Sequence, residues 1–208
     1  MKHVAPSTVR RLSLYLHTLE ACLREGRRTV SSKVLGDAGG ATPAQVRKDL
    51  SFFGSFGRRG VGYPAAELAA HLRGILGLGG GFRVVLVGAG RLGQALAHFE
   101  GFGERGFRIA AVYDADATKV GTRVDGLVVR GVDRLVADLE AQPADIGVIG
   151  VPGDAAQAVG DALVRGGVRA ILSFAPVHVA VPEGVAVKRV DLSQELDTLA
   201  FALRGGSR

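Results

Sequence analysis

The sequence has little of what marks secreted, disulfide-stabilised or membrane-spanning proteins. Its 208 residues include a single cysteine, Cys22, which excludes a disulfide framework and indicates a reducing compartment. Cys22 lies on the apolar face of a predicted helix, where a small core residue is its ordinary role. No signal-peptide pattern opens the chain, and it contains no run of about 18 apolar residues. We therefore expect a cytoplasmic protein that has no membrane partner.

The sequence also lacks the clusters that hold metal ions. Its five histidines have neither ligand spacing nor a neighbouring cysteine: His3, His17, His71, His98 and His178. We expect no metal site, because Zn²⁺ ligands recur at short, regular spacings. Repeats are absent as well. The 31 glycines concentrate at turns and in one fingerprint, and 47% of the residues are hydrophobic, so the composition indicates a globular protein.

Positive charge is concentrated in the first third of the chain. Residues 1–63 contain eleven Lys and Arg against four Asp and Glu, a net charge of +7, whereas the remaining residues net −1. A basic segment joined to a nearly neutral one is typical of a nucleic-acid-binding region attached to a regulatory or catalytic body. A basic face that only keeps the protein in solution is the alternative.

Two helices are predicted before residue 41. The first has Ser7 as its N-cap, and its apolar residues share one face: Val9, Leu12, Leu16, Leu19 and Leu23. Ser31 and Ser32 open the second helix. It ends at Gly39-Gly40, because glycine adopts left-handed backbone at little cost.

The third predicted helix has the character of a recognition helix. Thr42 is its N-cap, Pro43 suits the first helical position, and Gln45 stands where a capping box is completed. Four of its side chains can meet phosphates and base edges: Gln45, Arg47, Lys48 and Ser51. Because these donors alternate with apolar anchors, the pattern predicts a helix-turn-helix, although small helical bundles have similar patterns.

Residues 54–63 are too rich in glycine for a helix and predict a β-hairpin, a wing, with Arg58 and Arg59 at its tip. A basic tip suits a narrow minor groove, and a solvated loop is the alternative. We assign Gly60 and Tyr63 to the same DNA-binding surface. A further apolar helical stretch and the linker Gly79-Gly80-Gly81 follow, so residues 1–78 are predicted to form a winged-helix DNA-binding domain.

A dinucleotide-binding fingerprint begins the second part of the chain. A β-branched run, 82–87, leads into Gly88-Ala89-Gly90-Arg91-Leu92-Gly93-Gln94 and a helix, and a second strand ends in Asp114, about 20 residues beyond the last glycine. The glycines allow a tight turn, the approach of a pyrophosphate and close helix packing. Asp114 should accept hydrogen bonds from the adenosine ribose and repel a 2′-phosphate. The predicted cofactor is therefore NAD(H), with an empty Rossmann-like scaffold as the alternative.

The remaining pattern alternates strands and helices, as a parallel doubly wound sheet requires, and predicts an α/β Rossmann domain over 82–190. Ligands of such sheets bind beyond the carboxyl ends of the strands. Two turns are expected to line that cleft: Val151-Pro152-Gly153 and Ser173-Phe174-Ala175-Pro176. Ordinary strand-to-helix turn chemistry would also explain them.

The last segment, residues 191–208, predicts an amphipathic helix opened by Ser193. Its apolar residues are Leu192, Leu196, Leu199, Phe201 and Leu203. Such a stripe must be buried, either on its own domain or on a second subunit.

Several strings in the sequence closely resemble the Rex family of redox-sensing repressors. They are QVRKDLS at 45–51, GSFG at 54–57, RGVGY at 59–63, GRLG at 90–93, and Ser173 before FAP at 174–176. The likeness runs nearly end to end. It implies a homodimer that binds inverted-repeat operator DNA through its winged helices, reads the NADH/NAD+ ratio through its Rossmann domains, and exchanges its C-terminal helix between subunits. It further implies that NADH releases the DNA and that the regulated genes concern respiration and NAD+ regeneration.

The resemblance also implies a sensing contact between an arginine of the first helix, a tyrosine after the fingerprint helix and an aspartate before the last helix. This chain matches only the aspartate, Asp191. The other two positions hold His17 and Phe99, so the hydroxyl is absent and the cation titrates near neutral pH. We expect release by NADH to be weaker here or to depend on pH.

NADH is expected to bind more tightly than NAD+, because the oxidised nicotinamide is cationic and charge is costly in an apolar pocket. Phe99, Phe102, Phe174, Ala175 and Pro176 are candidates to form that pocket.

Two other classes of protein use a similar glycine loop. A dehydrogenase needs a substrate pocket and an acid or base beside the nicotinamide, but the predicted sheet uses nearly all residues after the linker. We therefore expect no catalytic residue. A coenzyme A-binding module is the second alternative, and Asp114 argues mildly against it.

Overall fold

The computed structural model describes residues 4–58 and 60–204, and the chain divides into two compact units, residues 1–80 and 81–208. The division falls within the glycine run 79–81. Among the described residues, no helix is both long and apolar enough to cross a membrane.

The first unit is helical, with one two-stranded antiparallel ribbon. Its elements are α1 (Pro6–Arg24), β1 (Thr29–Val30), α2 (Ser32–Gly39), α3 (Pro43–Ser51), β2 (Tyr63–Pro64) and α4 (Ala65–Ile75). Buried leucines from all four helices form its core, among them Leu12, Leu35, Leu50 and Leu68. The order of helices, turn and ribbon confirms the predicted winged helix-turn-helix fold.

The predicted helix ends are confirmed for α2 and α3. The Ser31 hydroxyl accepts a hydrogen bond from the Val34 N–H at 3.3 Å, and the Thr42 hydroxyl accepts one from the Gln45 N–H at 3.2 Å. Gly40 ends α2 with φ +60°. The second half of the predicted capping box is wrong, because the Gln45 amide points along α3 and donates to Asp49 instead.

The predicted start of α1 is also wrong. Pro6 occupies the first turn and Ala5 is the N-cap, so Ser7 lies inside the helix. Proline favours this position because its φ is already helical and it has no N–H to satisfy. The predicted apolar face is confirmed at Leu12, Leu16 and Leu19, which are fully buried, whereas Val9 is exposed and Tyr15 belongs to the buried face.

The wing is present as a short hairpin. Arg58 and Gly62 form an antiparallel bridge, in which the Arg58 N–H donates to the Gly62 carbonyl at 3.0 Å and the Gly62 N–H donates back at 3.1 Å. Gly62 has φ +100°, and a Cβ there would lie 2.7 Å from the Val30 carbonyl oxygen, so glycine is required for the return toward the ribbon. Arg59, assigned to the wing tip, lies outside the described residues.

The second unit is a seven-stranded sheet with helices on both faces. Its strands are β3 (Phe82–Val87), β4 (Phe107–Asp114), β5 (Arg123–Val124), β6 (Leu127–Gly131), β7 (Ile146–Ile149), β8 (Ala170–Ser173) and β9 (Ala186–Arg189). Their order is β5-β6-β4-β3-β7-β8-β9, and all neighbours are parallel except β5 and β6. This order confirms the predicted Rossmann-like α/β fold.

Five helices accompany the sheet: α5 (Arg91–Ala97), α6 (Glu100–Glu104), α7 (Leu135–Ala141, after a 3₁₀ turn at Val132–Arg134), α8 (Gly153–Arg165) and α9 (Leu192–Leu203). Alternate residues of β3 face the two layers. Val84 and Leu86 pack with Ala97 of α5, whereas Val85 and Val87 pack in the cluster formed with α7 and α8.

Two short elements of the second unit were not predicted, and neither was β1 of the first unit. One is α6, a five-residue helix. The other is β5, which turns into β6 at Asp125-Gly126, where φ is +48° and +75°. An Asp-Gly pair is a strong hairpin signal, so the sequence did contain a sign of this turn.

The last helix differs from prediction at its start. Asp191, not Ser193, is the N-cap of α9, because its Oδ1 accepts a hydrogen bond from the Ser193 N–H at 3.1 Å. Its apolar stripe remains uncovered in the described chain: Leu192, Leu196, Leu199, Phe201 and Leu203 are 60–89% exposed. Packing on its own domain, one of the two expected arrangements, therefore does not occur in the described chain.

Candidate nucleic-acid interface and nucleotide site

The outer face of α3 carries three of the predicted DNA-binding residues. Arg47, Lys48 and Ser51 are exposed, while Val46 and Leu50 are buried beneath them. This is the arrangement that the alternating pattern predicted. The fourth residue, Gln45, is half-buried and engaged by Asp49.

A groove with a volume of about 740 Å³ lies between α3 and the wing. Arg47, Ser51, Arg58, Gly60 and Tyr63 line it. The structure thus brings five of the predicted DNA-binding residues to one concave surface. Ser32 also lines the groove, and its hydroxyl accepts a hydrogen bond from Arg47 at 3.2 Å.

Asp49, on the inner side of α3, forms a network that sequence reasoning missed. The residue is 4% exposed. Its Oδ2 accepts from Arg11 Nε at 2.6 Å and from the Tyr15 hydroxyl at 3.0 Å, and its Oδ1 accepts from Arg11 Nη2 at 2.8 Å and from Gln45 Nε2 at 2.7 Å. The only sign in the sequence is a charged residue among the apolar positions of α3.

Burial by itself would raise the pKa of Asp49, but the hydrogen bonds from Arg11, Gln45 and Tyr15 lower that pKa below its usual value. The pKa of Tyr15 is raised to about 12 by burial and by its bond to Asp49. Asp49 is therefore a carboxylate and Tyr15 a neutral phenol at physiological pH.

The glycine loop after β3 is tightly built. The Gly88 N–H donates to the Tyr113 carbonyl at 2.7 Å, and the Ala89 carbonyl accepts from Gln94 Nε2 at 3.1 Å. Gly88 has φ +109°, and a Cβ there would lie 2.5 Å from the Gly150 carbonyl oxygen; a Cβ on Gly93 would collide with the Gly88 carbonyl. At Gly90, by contrast, no atom lies within 4 Å of the Cβ position, so the space outside this residue is open.

Asp114, at the carboxyl end of β4, braces this loop. It is 8% exposed, its Oδ2 accepts from the Ala89 N–H at 2.7 Å, and its Oδ1 accepts from the Asp116 N–H at 2.8 Å. Lys119 Nζ also contacts Oδ2 at 3.2 Å and Asp116 at 3.5 Å. A carboxylate has about four acceptor positions, so one position remains on Oδ1. Sequence reasoning missed Lys119 and the bracing role of Asp114.

The charge of Asp114 is maintained by these contacts. Burial acts to raise its pKa, but the backbone N–H groups of Asp116 and Ala89, together with Lys119, lower the pKa below its usual value. The Ala89 N–H is committed to Asp114, so Ala89 contributes to the predicted site through the shape of the loop.

Both turns predicted to line the cleft follow strands that end at the same edge as β3. Pro152 caps α8, and Val151 is half-buried. Ser173 is buried, and its hydroxyl accepts a hydrogen bond from the Ala175 N–H at 3.3 Å. Ala175 is also buried, whereas Pro176 is exposed. Ser173 therefore stabilises its own turn.

The five residues predicted to form an aromatic pocket are not brought together: Phe99 and Phe102 lie beside Phe107, where β4 begins, whereas the turn at 173–176 follows the end of the parallel strand β8. Phe99 and Phe102 meet edge to face, with ring centroids 5.1 Å apart, and both line a cavity of about 530 Å³ with Phe107 and Ile109. Phe174 packs instead in the cluster that contains Val84 and Leu86.

The three predicted switch residues lie on different elements. His17 is exposed on α1 in the first unit, and Phe99 is exposed at the start of α6 in the second. Asp191 contacts Arg189 Nη2 through Oδ2 at 3.4 Å while its other oxygen caps α9. Arg189 was not predicted as a partner. A contact between His17 and Asp191 stays a prediction.

Within the part of the chain that the structure describes, no group of three or more His, Cys, Asp or Glu side chains could hold a metal ion.

Known families and proteins match both units. Residues 82–177 match the family described as "CoA binding domain", and residues 3–51 match the one described as "Putative DNA-binding protein N-terminus". The redox-sensing transcriptional repressor Rex of Carboxydothermus hydrogenoformans is 45% identical over 201 residues, 97% of either chain.

Solved structures give the same result. The crystal structure of RSP in complex with β-NAD+ and operator DNA has a TM-score of 0.91 at 34% identity, over 99% of this chain and 95% of that one. RSP in complex with β-NADH has a TM-score of 0.90 at 33% identity, over 99% and 97%.

A winged helix-turn-helix followed by a Rossmann-type sheet defines a class of DNA-binding regulators. The full-length identity is specific enough to name the family within that class: the chain belongs to the Rex family of redox-sensing transcriptional repressors.

The glycine loop generates a prediction about stability. We expect Gly93→Ala to lower the free energy of unfolding by about 3 kcal/mol, because the new Cβ meets a backbone carbonyl that cannot rotate away. Gly90→Ala, in the same loop, should cost at most about 1 kcal/mol, since its Cβ enters open space. Urea denaturation followed by circular dichroism measures both. Equal unfolding midpoints for the two variants would contradict the predicted difference.

Proposed function

We propose that this protein is a repressor that binds an inverted-repeat operator as a homodimer and is released when NADH binds. The observation that carries the proposal is the presence, in one chain, of an exposed basic helix beside a wing and of a glycine loop that leaves room for a phosphate. The near full-length likeness to RSP, crystallised with β-NAD+ and operator DNA and with β-NADH, supports it.

The surface of α3 and the wing supports operator binding. Arg47, Lys48 and Ser51 project from α3, so the helix can enter a major groove and donate to base edges or phosphates. Arg58 and Arg59 are the wing residues proposed for the minor groove, with Gly60 and Tyr63 shaping that surface. Phosphate contacts supply affinity and base contacts supply specificity.

The uncovered stripe of α9 supports a homodimer. Five large apolar side chains at 60–89% exposure are costly in water, and an identical subunit offers a self-complementary partner. A twofold-symmetric dimer places two recognition helices on two half-sites, which explains an inverted-repeat operator.

The fingerprint loop supports a dinucleotide ligand. Gly88 to Gln94 would hold the pyrophosphate, with the open space at Gly90 and the first turn of α5 facing it. Asp114 keeps one acceptor position for a ribose hydroxyl, and Lys119 has three N–H donors, of which its two carboxylate contacts use two. Val151, Pro152 and the 173–176 turn would line the nicotinamide end.

Discrimination between NADH and NAD+ is proposed to arise at the nicotinamide. The two ligands differ chiefly in the charge of that ring, and an apolar lining that excludes water disfavours the cationic form. A shift of a conformational equilibrium from 1:99 to 99:1 requires about 5.5 kcal/mol of differential binding, which the two sites of a dimer would share.

Coenzyme A is a second candidate ligand, because the matched family over residues 82–177 is described as a CoA binding domain. Its adenosine ribose carries a phosphate, which a charged Asp114 would repel. We further propose that the chain is a regulator without catalytic activity, since a relative that matches it over 97% of its length is a transcriptional repressor. A repressor binds operator DNA, and the proposal therefore implies a cytoplasmic location.

The function is tested by selecting an operator from randomised duplexes and measuring its anisotropy with the protein. We expect the selected sequence to be an inverted repeat, and NADH alone among NADH, NAD+, NADPH and coenzyme A to dissociate the complex. Replacing Arg47, Lys48, Arg58 and Arg59 together by alanine should abolish operator binding. A single substitution that removes a phosphate contact should lower the slope of log affinity against log salt concentration by about one unit. A single substitution that removes a base contact should cost about 1–3 kcal/mol of binding free energy. Unchanged affinity in the quadruple variant would refute the DNA-binding proposal.

Asp114 is predicted to set cofactor choice. Asp114→Ala should weaken NADH binding by about 1.5–3 kcal/mol, because the loop and the ribose lose a charged acceptor, and should narrow the preference over NADPH. Gln94→Ala is the matched control, since it loosens the same loop at the Ala89 carbonyl without changing charge. Calorimetric titration of Gln94→Ala should show the affinities for NADH and NADPH lowered by the same factor. An NADH/NADPH ratio unaltered in Asp114→Ala would contradict the assignment.

Release by NADH is predicted to depend on pH through His17. An imidazolium forms an ion pair with the Asp191 carboxylate, whereas a neutral imidazole offers it one uncharged N–H donor at most, so a His17–Asp191 contact is favoured below about pH 6.5. Operator affinity is measured from pH 6 to 8, with and without NADH. The effect of NADH on that affinity should vary with pH in the wild type and should not vary in His17→Gln. A response that is flat in both proteins would remove His17 from the switch.

A further inference from the structure

The recognition helix α3 is held to its unit by few apolar contacts. It is nine residues long, and Val46 and Leu50 are its only apolar side chains below a tenth exposed, in a helix that the structure describes throughout. Apolar contacts are non-directional, so two aliphatic side chains leave the rotation and the axial position of a short helix weakly determined. Base readout requires both to be well determined, because hydrogen bonds weaken steeply with distance and angle.

Asp49 makes directional contacts, which can fix the rotation and the axial position of α3. Its four acceptor positions are filled by four hydrogen bonds of 2.6–3.0 Å. Three of them come from α1, through Arg11 and Tyr15, and the fourth comes from Gln45 one turn earlier on α3. A carboxylate held from both of its oxygens by a planar guanidinium can neither rotate nor slide, so it fixes α3 on α1.

The sequence position of Asp49 makes this constraint relevant to DNA. Lys48 precedes it, and Arg47 and Ser51 lie two residues away on either side. The side chains that face the groove therefore move with any displacement of Asp49. Replacing a buried ion pair by apolar residues of similar volume is often neutral for stability, so stability alone gives little reason for the pair to be there.

We propose that Asp49, together with Arg11 and Tyr15, is a positioning residue for operator recognition, and that Gln45 belongs to this clamp instead of reading a base. The inference rests on the proposed function. It assigns Asp49 no contact with DNA, because all of its acceptor positions are used within the protein.

The test compares binding to the selected operator with binding to a scrambled duplex of the same length, at one salt concentration. The main variant is Arg11→Met with Asp49→Leu, which replaces the clamp by an apolar pair. We expect its operator affinity to fall by about tenfold or more while affinity for the scrambled duplex changes by less than about twofold, since phosphate contacts survive and base contacts do not. Arg73→Met is the control, because it breaks the α1–α4 ion pair with Glu20 and leaves the clamp intact.

Tyr15→Phe covers the case in which the double variant does not fold, because it keeps the ring and removes one hydrogen bond to Asp49. It should lower the operator-to-scrambled ratio by about threefold, less than in the double variant, because the two-point contact between Arg11 and Asp49 remains. Gln45→Leu should reduce the preference to a similar extent at every operator base pair, whereas loss of a base-reading glutamine would relax the preference at one base pair.

The outcomes separate the two proposals. A wild-type protein that does not prefer its selected duplex overturns the proposed function and the positioning role with it. A wild-type preference that persists within twofold in the folded double variant, or in Tyr15→Phe where the double variant does not fold, overturns the positioning role alone. Relaxed preference at a single base pair in Gln45→Leu overturns the assignment of Gln45 to the clamp.

Discussion

A carboxylate withdrawn from water must find hydrogen-bond donors at short range, and this requirement organises both units of the protein. Asp49 and Asp114 are the buried carboxylates among the described residues. Asp49 accepts from Gln45 of its own helix α3 and from Arg11 and Tyr15 of the supporting helix α1. Asp114 accepts from the glycine loop itself, through the Ala89 N–H. The hydrogen bonds that solvate these two charges also fix helix α3 and the glycine loop in place.

The two carboxylates differ in what they connect. Asp49 joins two helices through side chains, so α3 is tied to α1 at one point along its length. Asp114 takes backbone N–H groups from the glycine loop and from its own turn, so it shapes the chain directly. Removing either partner would leave an unpaired buried charge, which costs more than the pair itself contributes.

Among the described residues, other parts of the second unit expose apolar side chains that no hydrogen bonds hold in place. The stripe on α9 and the exposed ring of Phe99 are held by no comparable network in the described residues, and they lie in the unit that carries the glycine loop. Exposed apolar area of this kind is the surface type that becomes buried against another protein surface, whereas Asp49 and Asp114 hold neighbouring segments of their own unit in place.

The sequence by itself determined the features that depend on local rules. Caps at Ser31 and Thr42, the left-handed Gly40, the central strands and the fingerprint glycines follow from backbone sterics and periodicity, and all are present. Only the tertiary structure decided which polar groups form hydrogen bonds or ion pairs within the protein. Gln45 donates to Asp49, and Ser173 accepts from the Ala175 N–H. Asp114 accepts from the Ala89 N–H of the glycine loop, and Arg189 forms an ion pair with Asp191. Those outcomes depend on residues that are distant in sequence or on which way one side chain turns. Neither is encoded in a periodic pattern, because hydrogen-bond partners are chosen by proximity after the helices and strands have packed.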